Sequence, residues 1–572
     1  MRYQSKNIHR NQTTSLGRES FKMKKRVLLR GVIAAVLAAS MIAPAMAADV
    51  ENILTLTAPK DLKGVPALPF SGEKATFTTP DLLSGSMSTE PNQGFVGQEF
   101  TLTGKGLPAN SAVTLTWSTA DGAWLADVQP NSINYRGLKF IKYAVKMASV
   151  QTDANGAFTY KAKAPEDFGG PHDIYAVVNG TAVAKGGFQT NPKFTMSPSS
   201  GPIGTPITIK YTGIGSTLYT GGISVLWDNG YVGEAQAVWT RGTAEFKIRA
   251  TGEVGTHFVT AADGIGVQYM NLKQSPVPYS KGGMLPFKVT KDNGLIPSSI
   301  EYPQVVTPST DFRTTLSNQG VDPKTTAVAK VDVNNAVVGS KVKLDVTGLY
   351  TTGAHQIVWA SVVGNRVNCS GTCWVYNGVP MGTATPTGGN LSTEVTIPDN
   401  LGGWHVIQVK SGDLIQAQIP FYVKPSIFVY KDKNGKALSA GVALADKSPL
   451  PESRDGSGKP TYTFKAGEEV TIAIKGVGWT QLDNTMAVTY DNSFIGYGCG
   501  FNSNGYMVIH FPAVGKPGTH IIDLHPLFYT NQPSFANTQY GMLPILSYAN
   551  DNPAIALGYQ LPAIHFSIKI VK

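Results

Sequence analysis

The chain has 572 residues, of which 15% are charged and 42% hydrophobic, with 61 Gly and 36 Pro. That length is too great for one hydrophobic core and suits three to five domains. Abundant Gly, Pro and β-branched residues, with few helix-forming stretches after residue 50, lean all-β. The net charge of +10 suggests a polyanion partner, but nine of the 48 basic residues and one of the 38 acids lie in residues 1–47. Residues 48–572 hold 39 basic and 37 acidic residues, so a nucleic-acid reading loses its support.

The N-terminal segment reads as an export signal. Met23-Lys24-Lys25-Arg26 opens a basic stretch, an apolar run spans Gly31 to Ile42, and Ala45-Met46-Ala47 gives a small-x-small cleavage site. The apolar run is shorter than the roughly 20 residues a membrane-spanning helix needs. Cleavage after Ala47 is expected, and either Met1 or Met23 serves as the start. No lipobox Cys, sorting motif or C-terminal apolar span accompanies it. The predicted location is extracellular, cell-surface or periplasmic.

Beyond an N-terminal arm at 48–84, read as an extra strand or an extended arm, the chain repeats. An alternating strand entered and left through Gly occurs at Val96–Gly104, Ile203–Gly213, Val338–Gly348 and Ala466–Gly476. A largely apolar strand then ends in Trp117, Trp227 or Trp359, with Tyr490 in the fourth copy. Copies two and four continue into Asp228-Asn229-Gly230 and Asp491-Asn492-Ser493, which is hairpin-turn chemistry. Copies one and three depart from that hairpin and carry long insertions. Each copy closes with a turn followed by a strand opening on His172, His257, His405 or His520. About seven short strands per 90–110 residues is the signature of a sandwich.

Ser197-Pro198-Ser199-Ser200-Gly201-Pro202-Ile203-Gly204-Thr205 is similar to the opening of bacterial extracellular immunoglobulin-like modules of the IPT/TIG type. The resemblance covers four stretches and implies a fold, an all-β array of four tandem immunoglobulin-like sandwiches, more than a function. The expected organisation is 1–47 extension and signal peptide, 48–84 arm, 85–193 module 1, 194–290 module 2, 291–330 linker, 331–424 module 3, 425–460 linker and 461–572 module 4.

Catalytic motifs are missing: no Gly-x-Ser-x-Gly elbow, His-Glu-x-x-His, P-loop or dinucleotide fingerprint is present. The four repeated histidines, one per module, read as residues that cover a sandwich end and bond locally. His510, His520 and His525 lie close in sequence, but opposite strand parity separates the last two. No cofactor or metal is expected. Cys369 and Cys373, around Ser-Gly-Thr, are expected to form a disulfide clip in an oxidising compartment, and Cys499 reads as a buried free thiol. Tyr529, Phe535, Tyr540, Tyr548 and Tyr559 punctuate the long stretch 526–562 and are the candidate ligand surface.

The expected function is therefore a non-catalytic exported scaffold or adhesion protein. The alternative is a carbohydrate- or polymer-binding protein using the aromatic loops of the last module. Expected partners are proteins, surface glycans or polymers, with self-association through edge strands.

Overall fold

The computed structural model describes residues 53–572 except 130–131, 218–219, 265, 268–269, 272, 274–280, 303–320, 365–373, 429–461 and 531–540. The signal-peptide reading and the choice of start therefore lie outside the described residues. Four sandwiches follow one plan, in which a three-stranded sheet faces a larger one, five-stranded in modules 2 and 3 and seven-stranded in modules 1 and 4. In the second, the small sheet holds Lys193–Ser197, Pro206–Thr212 and Thr243–Arg249. The large sheet runs Ser200–Gly201, Lys281–Val289, Gly255–Asp263, Gly222–Trp227 and Gly230–Gln236. The chain starts in the small sheet and crosses over, so that Ser200–Gly201 lies parallel to the last strand. This is an immunoglobulin-like sandwich.

The repeated alternation makes these cores. Along Lys341–Thr347, Val342, Leu344 and Val346 are buried while Lys341 and Lys343 face outward. Each sandwich closes on its own apolar cluster around Trp117, Trp227, Trp359 or Tyr490. The Asp-Asn turns form as expected: Asp228 and Asn229 have φ of 48° and 67°, Asp491 and Asn492 48° and 61°, a left-handed pair typical of two-residue hairpins.

Stretches read as connectors also carry strands. In the 48–84 arm, Ile53–Leu56 pairs with Trp124–Asp127 and Lys74–Ala75 with the next strand of the first module. Ser299–Glu301 pairs with the final strand, Ala563–Val571, and Ser426–Ile427 is the first small-sheet strand of the fourth module. Both lie in polar, turn-rich surroundings, and each is too short to produce a periodic signal.

The modules are not separate beads. The junction between modules 1 and 2 recurs between modules 3 and 4. Gly169 bridges Gly215 and Gly402 bridges Gly478; Thr119 Oγ1 donates to Asp167 Oδ1 (2.8 Å) as Ser361 Oγ does to Asn400 Oδ1 (2.6 Å). At Gly169 a Cβ would fall 1.7 Å from the Gly213 carbonyl oxygen, and at Gly402 1.7 Å from that of Gly476. Only glycine permits such a close approach. The chain is thus two copies of a two-module unit.

Modules 2 and 4 then meet through equivalent positions. A Cβ on Gly230 would touch Ser493, Tyr231 packs edge-on against Phe494 (6.4 Å), and Glu253 pairs with Lys516 (2.6 Å). Each pair is a residue and its counterpart in the other copy, the relation expected near a local twofold axis.

A shared apolar core binds all four modules together. The first module's long hairpin, Ala112–Gln129 and Ser132–Gln151, carries Trp124, Val128 and Tyr135 into it. There they join Trp239 of module 2, Trp404 and Tyr422 of module 3, and Trp479 and Tyr559 of module 4. Each tryptophan N–H in this core is satisfied: Trp124 on Asp551 (2.9 Å), Trp239 on the Leu56 carbonyl (3.2 Å), Trp404 on that of Gly558 (2.9 Å) and Trp479 on that of Trp404 (2.8 Å). Asp551 also accepts from Trp239 N, Thr240 N and Thr240 Oγ1, so one buried carboxyl ties the module-1 hairpin and module 2 to the C-terminal segment.

Glu234 sits where module 2 meets module 4, its backbone bridging Ile545. Its side chain is fully buried and accepts from Gln236 Nε2 and, at 2.9 Å, from Gly266 N. Burial raises its carboxyl from 4.5 to about 7, against the opposition of those two donors. Between these values only the folded chain holds the proton, so the group's contribution is full below 4.5 and is lost as pH rises through 7. Glu234→Gln is expected to remove this loss, on the order of 3 kcal/mol. Urea melts of both proteins from about pH 4.5 to 8 check it; parallel pH profiles would contradict it.

Candidate functional site

The residues proposed from sequence scatter. Tyr559 is 1% exposed and belongs to the shared core, touching Tyr422 edge-on at 6.2 Å. It cannot present a ring to a ligand, because 545–561 folds inward around a short helix, Pro553–Ala556, and supplies Ile545, Leu557 and Leu561 to that core. The backbone of Tyr529 is strand-paired with Met542. Phe535 and Tyr540 lie outside the described residues. Tyr548 alone of the five is described as a cavity-lining side chain.

Cys369 and Cys373 also lie outside the described residues, in a connection whose flanks, Gly364 and Trp374, are register partners at a hairpin end. Cys499 is exposed rather than buried, as the last residue of the edge strand Ser493–Cys499. It follows the outward parity of Ile495 and Tyr497, which the flanking glycines left illegible in the sequence. With the clip formed, thiol titration of the unreduced chain should count one of the three cysteines, folded or denatured, and all three after reduction. Three without reductant would contradict the clip.

The repeated histidines are structural. His172, His257 and His405 stack on Trp117, Trp227 and Trp359 at centroid distances of 4.1, 5.3 and 4.5 Å, and His520 leans on Tyr490 at 5.5 Å. The Nε2 atoms face backbone carbonyls of Phe168, Glu253, Gly402 and Lys516 at 2.7–3.0 Å. In modules 2 and 4 Nδ1 meets the turn aspartate, Asp228 or Asp491. His510 lies apart on Met507–Pro512, against Thr471.

Titratable groups do converge in one place that sequence reasoning missed. In a cleft between modules 2 and 4 lies a chamber of about 240 Å³, beside one of about 470 Å³ that the arm (Lys63–Pro66) and Glu166 of module 1 also line, the two sharing Lys247, Glu301 and Tyr548. Its floor is a buried network. Arg249 donates to Asp523 through Nη2 (2.5 Å) and Nε (3.2 Å), and to the carbonyls of Ile522 and Phe566. His565 Nδ1 meets Asp523 at 2.6 Å, and its Nε2 lies 3.6 Å from Glu301.

The network sets its own charges. Burial pushes Asp523 upward, but Arg249 and His565 outweigh it and hold the carboxyl well below its usual range. Burial likewise opposes charge on His565, and the facing carboxylates Asp523 and Glu301 raise it instead. His525 goes the other way: burial lowers it to about 4, so it is neutral, and its Nδ1 has no hydrogen-bond partner among the described residues. A buried polar atom left unsatisfied is uncommon and costs about 1–3 kcal/mol.

Two further ion pairs flank the cleft, Lys210 with Glu166 (3.5 Å) and Lys247 with Glu301 (3.5 Å), and Lys63 and Glu245 also line it. Among the described residues, no group of three or more His, Cys, Asp or Glu is arranged to hold a metal ion.

No family model and no curated protein matches the chain. Among solved structures, it aligns with an ICAM-5 D1–D4 ectodomain fragment at 9% identity, covering 85% of this chain and 100% of that one, with a TM-score of 0.17. The N-terminal eight Ig domains of Down Syndrome Cell Adhesion Molecule align at 14% identity over 84% of this chain and 54% of that one (TM-score 0.16). A membrane-anchored protein of Corynebacterium diphtheriae aligns at 11% identity over 85% and 91% (TM-score 0.16). The chain spans 30% of a Salmonella alpha-2-macroglobulin with which it also aligns. The fold assignment rests on this chain's own sheet topology. Among the described residues, no helix is long and apolar enough to cross a membrane.

Proposed function

We propose that this is an exported, non-catalytic scaffold or adhesion protein, acting at the cell surface or outside the cell as one rigid four-module body. The observation that carries the reading is the shared core, which joins four sandwiches through Trp124, Trp239, Trp404 and Trp479. Such a body holds its exposed surfaces and its cleft at fixed separations, whereas a flexible string would not. The modules are of the IPT/TIG type, on the strength of the Ser197–Thr205 opening.

The non-catalytic assignment draws on the cleft's chemistry. Among the described residues lining it, no hydroxyl or thiol is hydrogen-bonded to a histidine, the arrangement a nucleophile and its base require. His565 faces carboxylates on both sides, which favour its charged form, and that suits structure better than proton abstraction. The binding alternative keeps one specific support, the placement of Tyr548 on both chambers.

Fractionation of producing cells tests the proposal. The protein should appear in the washed surface or extracellular fraction, with an N-terminus at Ala48. Retention in the cytoplasm with residues 1–47 intact would sink it.

A further inference from the structure

The cleft has features of a ligand site that the shared core does not need. His525 is 3% exposed and lines the smaller chamber with its Nδ1 unsatisfied. Tyr548 packs near it, the ring centroids 6.5 Å apart, and lines both chambers. Lys247 and Glu301 also line both and are only loosely joined, with 57% and 41% of their side chains exposed. The larger chamber, at about 470 Å³, falls within the ~300–1,000 Å³ range of small-ligand sites.

The chemistry of the lining narrows the ligand. Arg249 and His565 are consumed by Asp523, and Lys210 by Glu166. Lys63, Lys210, Lys247 and Arg249 in the lining are balanced in number by Glu166, Glu245, Glu301 and Asp523, so neither a polyanion nor a polycation finds a field of one sign. What is left is a donor (Lys247) and an acceptor (Glu301), both partly exposed, beside an aromatic ring. Hydroxyl groups, each both donor and acceptor, complement such a mixture, and the C–H face of a pyranose packs on a ring.

We propose that this cleft binds a neutral hexose or short neutral hexose oligosaccharide. The ring lies against Tyr548, and its hydroxyls are shared between Lys247 and Glu301. The site rests on the binding alternative above, placed in the inter-module cleft rather than on an exposed loop.

Calorimetric titration of the full mature chain with maltotriose, cellotriose and mannotriose, and with trigalacturonate as the charged counterpart, tests it. Saturable binding of at least one neutral trisaccharide is expected, weakened tenfold or more in Tyr548→Ala and in the more conservative Glu301→Gln, with circular dichroism melts confirming that both fold. Tighter binding of trigalacturonate, absence of neutral-sugar binding, or binding indifferent to both substitutions would overturn it. A protein found at the cell surface but failing this titration loses the sugar site alone; one confined to the cytoplasm yet binding the sugar loses the surface role alone.

Discussion

Trp404→Ala is expected to destabilise the folded chain by about 3–5 kcal/mol, the range for deleting a buried tryptophan. The indole is 2% exposed and meets Tyr422 edge-on at 5.0 Å. Its Nε1 donates to the Gly558 carbonyl of the C-terminal segment, so truncation leaves both a cavity and an orphaned acceptor. The location matters more than the magnitude. Trp404 lies on the module-3 strand Gly403–Ser411, yet its ring faces residues of module 4. Loss of the ring should therefore lower the stability of both modules together. Urea unfolding followed in parallel by tryptophan fluorescence and circular dichroism checks this. A change confined to one of several separate transitions would mean that the modules unfold independently.

Asp523→Ala is expected to cost a similar amount, about 3–5 kcal/mol, because it strands Arg249 as a buried cation. Arg249 and Asp523 side chains are 10% and 3% exposed, and the guanidinium's remaining partners are two backbone carbonyls. The double variant Arg249→Met, Asp523→Leu should recover most of the loss, since an apolar pair avoids the desolvation that the ion pair must overcome. Single and double variants compared in a thermodynamic cycle give the coupling. The pH dependence has a definite sign. Asp523 is held below its usual value, so its contribution is present above the ordinary carboxylate range and lost on acidification below it. Near-additive losses in the cycle would show that the two modules do not rely on this pair.

The parts of the fold legible in sequence were those written locally. Alternation along Glu99–Lys105 or Lys341–Thr347 places Phe100, Leu102, Val342 and Leu344 inward, and Asp228-Asn229 sets its own turn. The four histidines repeat at one strand position because each covers its module's central ring. The shared core was not legible. Its members run from Leu56 to Leu561, and each sits on a segment whose local pattern also fits a solvent-facing strand or a loop. Trp124 falls beyond the Trp117 strand in a copy that carries a long insertion, and Tyr559 in the long stretch 526–562 read as a ligand surface.

The cleft was hidden for a related reason. Arg249 and Asp523 are 274 positions apart, and Glu301 comes from a stretch whose composition marks a linker. Because modules 3–4 repeat the junction of modules 1–2, equivalent faces of modules 2 and 4 meet. The shared Asp-Asn turn of copies two and four hints at the copy relation in sequence, but the repeated junction at Gly169 and Gly402 is a fact of three dimensions.

Small-angle scattering from the mature chain tests most directly whether the four sandwiches form one body. The shared core predicts a radius of gyration close to the ~24 Å that compaction scaling gives for about 520 residues, unchanged by moderate salt. A value nearer twice that, as for sandwiches strung end to end, would contradict the shared core and with it the cleft between modules 2 and 4.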